Sequence, residues 1–218
     1  MQLIREAKCL DRISVEIPES AKIAVFQEEK FKLYYTELHW ALTEYERIVT
    51  EVIPVTASIL RPHFNDLEYK LRPGMITLTW TSMNIDAYIA HVFSGLKKLQ
   101  ELVSNINDII ENRIEKNLKV VSKTLLIDLP QDASITVSDF VLMQHTHIGT
   151  RSTLLQGKNT EIENAVDDLI QKIVCYQFES PQQKVAEEDI STLRNHYNHF
   201  MYQALLHSAK NSMNAFKK

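Results

Sequence analysis

The apolar positions along this chain recur in steps of three and four, and such steps put side chains on one face of a helix. Leu3, Ile4, Ala7 and Leu10 predict a short first helix that ends before Pro18. Ser20 is placed to cap a second. Its seam runs Phe31, Tyr34/Tyr35, Leu38, Leu42, Tyr45, Ile48/Val49 and Val52. Pro54 breaks or bends that helix, because its ring removes a backbone donor and clashes with the turn before. A further piece from Val55 to Leu71 carries Ile59, Leu60, Phe64 and Leu67 up to Pro73-Gly74. The longest run holds Ile85, Ile89, Val92, Leu96, Leu99, Val103, Ile106 and Ile110, and continues through Ile114, Leu118, Val121 and Leu125. It predicts one helix of roughly 40 residues and about 60 Å. Asp128-Leu129-Pro130 is the predicted stop. More helices follow over 137–156, 161–178 and 184–216, separated by Gly157 and by Ser180-Pro181.

One stretch breaks the helical rhythm. After Pro73-Gly74 the chain reads Met75-Ile76-Thr77-Leu78-Thr79-Trp80-Thr81, alternating apolar and polar as a strand does. The expected role is an extended crossing, with Ile76, Leu78 and Trp80 facing a seam and the threonines facing away. Thr81 or Ser82 then caps the long helix. Trp80 is expected to be a buried structural anchor, and Ile106 and Ile110 anchors in the middle of the long seam.

The fold class that follows is all-α, an elongated multi-helix bundle of long antiparallel helices, six or seven in number. The 4-3 spacing of the long helix gives it a coiled-coil-like seam. Phe93, Leu102, Ile109 and Val120 lie beside that seam, and the wider stripe favours a bundle over an isolated coiled coil. The chain divides approximately into a first helical part, 1–73, a long central helix, 74–130, and a second helical part, 131–218.

Composition narrows the function. The 218 residues include 44% hydrophobic and 24% charged side chains, enough for a real core. Only 4 Gly and 6 Pro are present, so the elements are few and long. The formal charge is −4, and acids and bases interleave as in Gln27-Glu28-Glu29-Lys30-Phe31-Lys32, which excludes a nucleic-acid footprint. No apolar run reaches membrane-spanning length, and the N-terminus MQLIREAKCL is too charged for a signal peptide. Cys9 and Cys175 have no partner in a CxxC motif and read as reduced, half-buried thiols of a cytosolic protein.

The candidate chemistry fails on spacing. LLQGKNT at 154–160 offers Gly157-Lys158, but Ser152 stands where a phosphate loop needs its first glycine, and Asn159 follows the lysine. His145 and His147 point about 200° apart on a helix. His196, His199 and His207 share a sector with Asp189, yet His207 lies too far along to join one tetrahedral site. Glu187-Glu188-Asp189 suit a helix start, where the macrodipole favours acids. Tyr34, Tyr35, Trp40 and Tyr45 lack the interleaved basic charge that base stacking needs. No catalytic, cofactor-binding or metal site is expected, and no small-molecule substrate.

Three long blocks carry a family resemblance: KFKLYYTELHWALTEYERI (30–48), LRPHFNDLEYKLRPGMITLTWTSMNIDAYI (60–89) and NINDIIENRIEKNLKVVSKTLLIDLP (105–130). They resemble the N-terminal tail of dynein heavy chains, most of all those of ciliary outer arms, with weaker likeness at 134–140 and 161–170. The resemblance implies a piece of a much longer motor chain whose ATPase ring lies elsewhere. It implies a non-catalytic structural segment in the cytoplasm, cytoskeleton and ciliary axoneme. Its partners would be dynein intermediate chains, light chains or another heavy chain. A stand-alone helical adaptor that docks a partner helix in a groove is the alternative.

Overall fold

The computed structural model describes residues 2–79, 82–127 and 135–217. Among these residues every regular element is helical. They comprise α1 (Gln2–Arg12), α2 (Glu19–Phe26), α3 (Glu28–Glu51), a 3-10 turn (Pro54–Thr56), α4 (Ala57–Ile76) and α5 (Ile85–Asp108). A π-helical segment (Ile109–Glu115), α6 (Lys116–Lys123), α7 (Val137–Val174) and α8 (Glu187–Phe216) follow. The all-α, multi-helix expectation holds. Two compact units share these elements: residues 1–51 with 64–100, and residues 52–63 with 101–218.

In the first unit, α1 packs on α2 through Ala7, Ile17 and Ala21. A larger cluster joins Ile4, Phe31, Tyr34, Ile85 and Ile89. Pro18, not Ser20, precedes the first turn of α2, and Ser20 lies inside it. Gln27 separates α2 from α3, where the sequence predicts one helix. α4 carries a buried ion pair, Lys70 Nζ to Asp66 Oδ2 at 3.1 Å. Gly95 of α5 leaves room for it: a Cβ there would stand 3.0 Å from Lys70 Cδ and 3.1 Å from Leu67 Cδ1.

The strand-like stretch is corrected. α4 runs through Pro73-Gly74 to Ile76, whose side chain is 72% exposed and faces no seam. Pro73 sits in the last turn, so its missing donor costs one hydrogen bond and does not stop the helix. Its carbonyl accepts from Thr77 N at 3.0 Å and Leu78 N at 2.9 Å, which ends the helix there.

In the second unit, the π segment buries Ile109, Ile110 and Ile114 and packs on α7, which buries Ile162, Ala165, Val166, Leu169, Ile170 and Ile173. Arg113 of the π segment donates to Asp168 of α7 at 2.6 Å. The long helical run ends at Lys123, ahead of the predicted Asp128-Leu129-Pro130 stop, which lies outside the described residues. α8 closes that end with side chains. Ser208 Oγ donates to Thr124 O at 2.6 Å, Asn211 Nδ2 to Ser122 O at 3.3 Å, and Leu126 N donates to Ser212 Oγ at 2.8 Å. Helix ends leave carbonyls without intrahelical donors, and these contacts explain why polar Ser208 and Ser212 occupy the buried face of α8.

α7 is also longer than its sequence suggests. Gly157 does not divide it, and neither Gly157 nor Gly149 has anything within 4 Å of a notional Cβ. Thr136 caps its start, accepting from Asp139 N at 3.2 Å and donating to Asp139 Oδ2 at 2.6 Å. At the other end His63, fully buried against Tyr176 and Phe178, donates from Nε2 to Ile173 O at 3.0 Å.

Candidate interaction surface

The motifs that raised chemical questions resolve into helix. Residues 154–160 lie inside α7, so their backbone N–H groups serve the helix and do not wrap an anion. Lys158 donates to Glu161 Oε2 at 2.7 Å. His145 and His147 also sit on α7. Cys9 and Cys175, expected to be half-buried, are both exposed. His196 packs beside Tyr197 and Phe200, with ring centroids 5.4 and 4.6 Å away. Burial, and then the neighbouring His199, push its pKa down. Glu187, Glu188 and Asp189 occupy the first turn of α8. Among the described residues no group of three or more His, Cys, Asp or Glu could hold a metal ion. No described helix is long and apolar enough to cross a membrane.

Of the three expected anchors, Trp80 lies outside the described residues. Ile106 is fully buried and Ile110 is 3% exposed. Tyr197 of α8 is buried as well, and its hydroxyl has no hydrogen-bond partner among the described residues. Burial, with the negative charge of Glu115, pushes its pKa up to about 12.

α3 carries apolar side chains on more than its buried face. Its buried face takes Phe31, Tyr34, Ala41 and Ile48, with Leu38 and Tyr45 half-buried between them. Tyr45 meets Phe64 edge-on at 6.0 Å. Beside that face runs a second stripe, Tyr35, Leu42 and Val49, spaced by sevens and exposed by 57%, 55% and 46%. Tyr35 stacks on His39 with centroids 6.0 Å apart and planes 7° from parallel. Lys32, His39 and Glu46, again seven apart, form its solvent edge.

Isolated exposed leucines are ordinary on protein surfaces. Three apolar side chains in heptad register are a different matter. With Leu38 and Tyr45 they complete the 3-4 spacing that another helix meets by knobs-into-holes packing. The seam read from sequence allowed Tyr34 or Tyr35, and Ile48 or Val49. Both heptads are real, and the core takes Tyr34 and Ile48. Leu42, expected in the core, is exposed, and the neighbouring Ala41 is buried in its place. What the sequence could have signalled is this doubling, since one helix does not use two offset heptads on a single partner.

Comparison with known proteins gives this surface a context. The family model described as dynein heavy chain, N-terminal region 1, matches residues 1–88. The flagellar outer-arm dynein gamma chain of Chlamydomonas reinhardtii is 38% identical over all 218 residues, which cover 5% of that protein. Axonemal dynein heavy chain 5 of Mus musculus is 31% identical over 85% of this chain and 4% of its own length. Axonemal dynein heavy chain 8 of Homo sapiens is 30% identical over 78% of this chain, again 4% of its own length. The chain thus spans about a twentieth of the curated relatives it matches.

Proposed function

Because this chain belongs to the dynein heavy chains and corresponds to an N-terminal region of the axonemal type, we propose that it works as a non-catalytic assembly segment of the motor's tail. It connects the heavy chain to intermediate chains, light chains or a second heavy chain, and through them to the axoneme. The location that goes with this role is the ciliary axoneme and, before assembly, the cytoplasm. Ile106 and Ile110, buried in the long seam, serve as its structural anchors.

The observation that carries this reading is the exposed heptad of α3: Tyr35, Leu42 and Val49 in register beside a well-packed core face. A tail whose work is assembly needs helix faces left over after folding, and this is one. The described cavities are an apolar recess of about 160 Å³ lined by Leu38, Gly74, Leu78, Thr79, Ile85 and Tyr88, and a more polar one of about 230 Å³ between α7 and α8, where Arg194 donates to Asp167 at 2.9 Å beside Glu163, Tyr197 and Asn198. The test is a full-length heavy chain lacking these 218 residues, purified from a ciliated cell. Intermediate chains, light chains or the second heavy chain should be missing from the purified particle. A full complement of partner chains on the truncated heavy chain would overturn the proposal.

A further inference from the structure

The last helix carries a second surplus face, and its chemistry is more specific than that of α3. α8 buries Leu193, Tyr197, Met201, Ala204, Ser208 and Ser212 on one side. On the opposite side Tyr202, Leu206, Ala209, Met213 and Phe216 recur in steps of four, three, four and three. Tyr202, Leu206, Met213 and Phe216 are 58%, 38%, 59% and 61% exposed. In heptad terms Leu206 and Met213 take the a positions, and Tyr202, Ala209 and Phe216 the d positions.

The charge around this seam is one-sided. From Ile190 to Lys218 the sequence contains no Asp or Glu, while Arg194, Lys210, Lys217 and Lys218 supply positive charge. Lys210 and Lys217 fall at successive e positions, the edge where coiled-coil partners exchange salt bridges. Both are exposed, and no carboxylate of the described residues pairs with them. The other edge offers no matching charge: Leu205 and Ser212 take the g positions, and Ser212 is buried against the α6 end.

From this arrangement we infer that the exposed seam of α8 docks an acidic amphipathic helix of another polypeptide, with apolar residues at heptad spacing and carboxylates along the edge that meets Lys210 and Lys217. The inference deepens the assembly role proposed above and rests on it, naming the chemistry of one partner. A second copy of α8 fits poorly. Antiparallel pairing sets e against e and so lysine against lysine, and parallel pairing sets each lysine against Leu205 or Ser212. An anionic lipid surface fits poorly too, because lysines border only one edge of a narrow stripe.

The experiment uses the intact 218-residue chain and three synthetic helical peptides with the same Leu/Ile heptad. One carries Glu at its e and g positions, one Lys, and one has the Glu version's composition in scrambled order. Binding is measured by fluorescence anisotropy at low salt. The Glu peptide should bind at least about tenfold more tightly than the Lys peptide, a difference two edge charges changed from attractive to repulsive can supply. Lys210→Glu with Lys217→Glu should reverse the preference, and Met213→Glu should abolish binding of both peptides. Met213 is exposed, so its variant keeps the fold. Equal binding of the Glu and scrambled peptides, or a preference unmoved by the charge reversal, overturns the inference. So does a chain that dimerises through this face in sedimentation and loses the dimer in Met213→Glu, or one that binds phosphatidylserine vesicles and neither heptad peptide. Partner loss on deleting the segment is scored separately, so the assembly role can stand if the peptides fail.

Discussion

A Cβ at position 74 would stand 2.2 Å from the hydroxyl oxygen of Tyr88, so Gly74 is where α4 makes room for the tyrosine of α5. Tyr88 uses that room to donate to Leu71 O at 3.1 Å. The glycine that reads as a helix breaker is a seat. Gly74→Ala should therefore destabilise the fold by about 1–3 kcal/mol, as overpacking does, despite a helix-propensity gain of up to about 1 kcal/mol. Gly157→Ala is the control, because its Cβ would meet nothing within 4 Å. It should stabilise by about 0.5–1 kcal/mol. Urea melts of the two variants decide the matter, and a stabilising Gly74→Ala would refute the seat.

The long helix gives a second contrast. Ile106 is fully buried, and Asp in its place would strand a carboxylate in an apolar setting or force its protonation. The expected loss is several kcal/mol. Lys98→Asp, on the exposed side, should cost about 0.5 kcal/mol or less. Equal midpoints for the two variants in denaturant would mean that the seam does not hold the unit together.

His196 supplies a pH dependence. Its pKa in the folded chain is lowered from the ordinary 6.5 by burial, then by His199. The unfolded chain therefore takes up the proton first as pH falls. Stability should decline as pH drops below about 6.5 toward the folded-state value, and rise with pH through the same window. His196→Gln should flatten that slope. Melts across the window compare the two chains, and an unchanged slope in the variant would assign the dependence to other groups.

No binding of MgATP by this segment is expected, because the Gly157-Lys158 pair lies within α7 and Lys158 already meets Glu161. Titration calorimetry checks this. Saturable, Mg²⁺-dependent heat that disappears in Lys158→Ala would contradict it.

The helical plan was legible because periodicity is a property of many residues at once. The run from Ile85 to Ile114 is buried where the 4-3 spacing puts it, as Ile89, Val92, Leu96, Leu99, Val103, Ile106 and Ile110 show. Leu118 is half-buried, whereas Leu125, expected to extend the seam, lies past the helix end and is exposed. Pro54 opens a 3-10 turn between α3 and α4, as a ring without a donor should. Local signals did worse. Alternation over 75–81 imitates a strand, but Met75 and Ile76 still belong to the last turn of α4. Gly157 resembles a boundary, yet helical residues on both sides carry the helix through. The π segment has no sequence signature that spacing could reveal, since Ile109, Ile110 and Ile114 satisfy an α-helical pattern equally well. The surplus face of α3 was in plain view as paired alternatives, Tyr34/Tyr35 and Ile48/Val49. Only burial shows which member of each pair the core takes.

The proposed assembly role has faces left exposed after folding, beginning with that of α3, hold the tail to its partner chains. Its most direct test is Tyr35→Ser, Leu42→Ser and Val49→Ser together in a full-length heavy chain, purified from a ciliated cell and weighed by quantitative mass spectrometry of its co-purifying chains. Exposed substitutions of this kind change stability by about 0.5 kcal/mol or less each, so circular dichroism of the 218-residue segment should stay strongly helical. Heavy chain should be recovered in normal amounts with at least one intermediate, light or second heavy chain lost. A folded variant that keeps every partner chain in the wild-type ratio would contradict it.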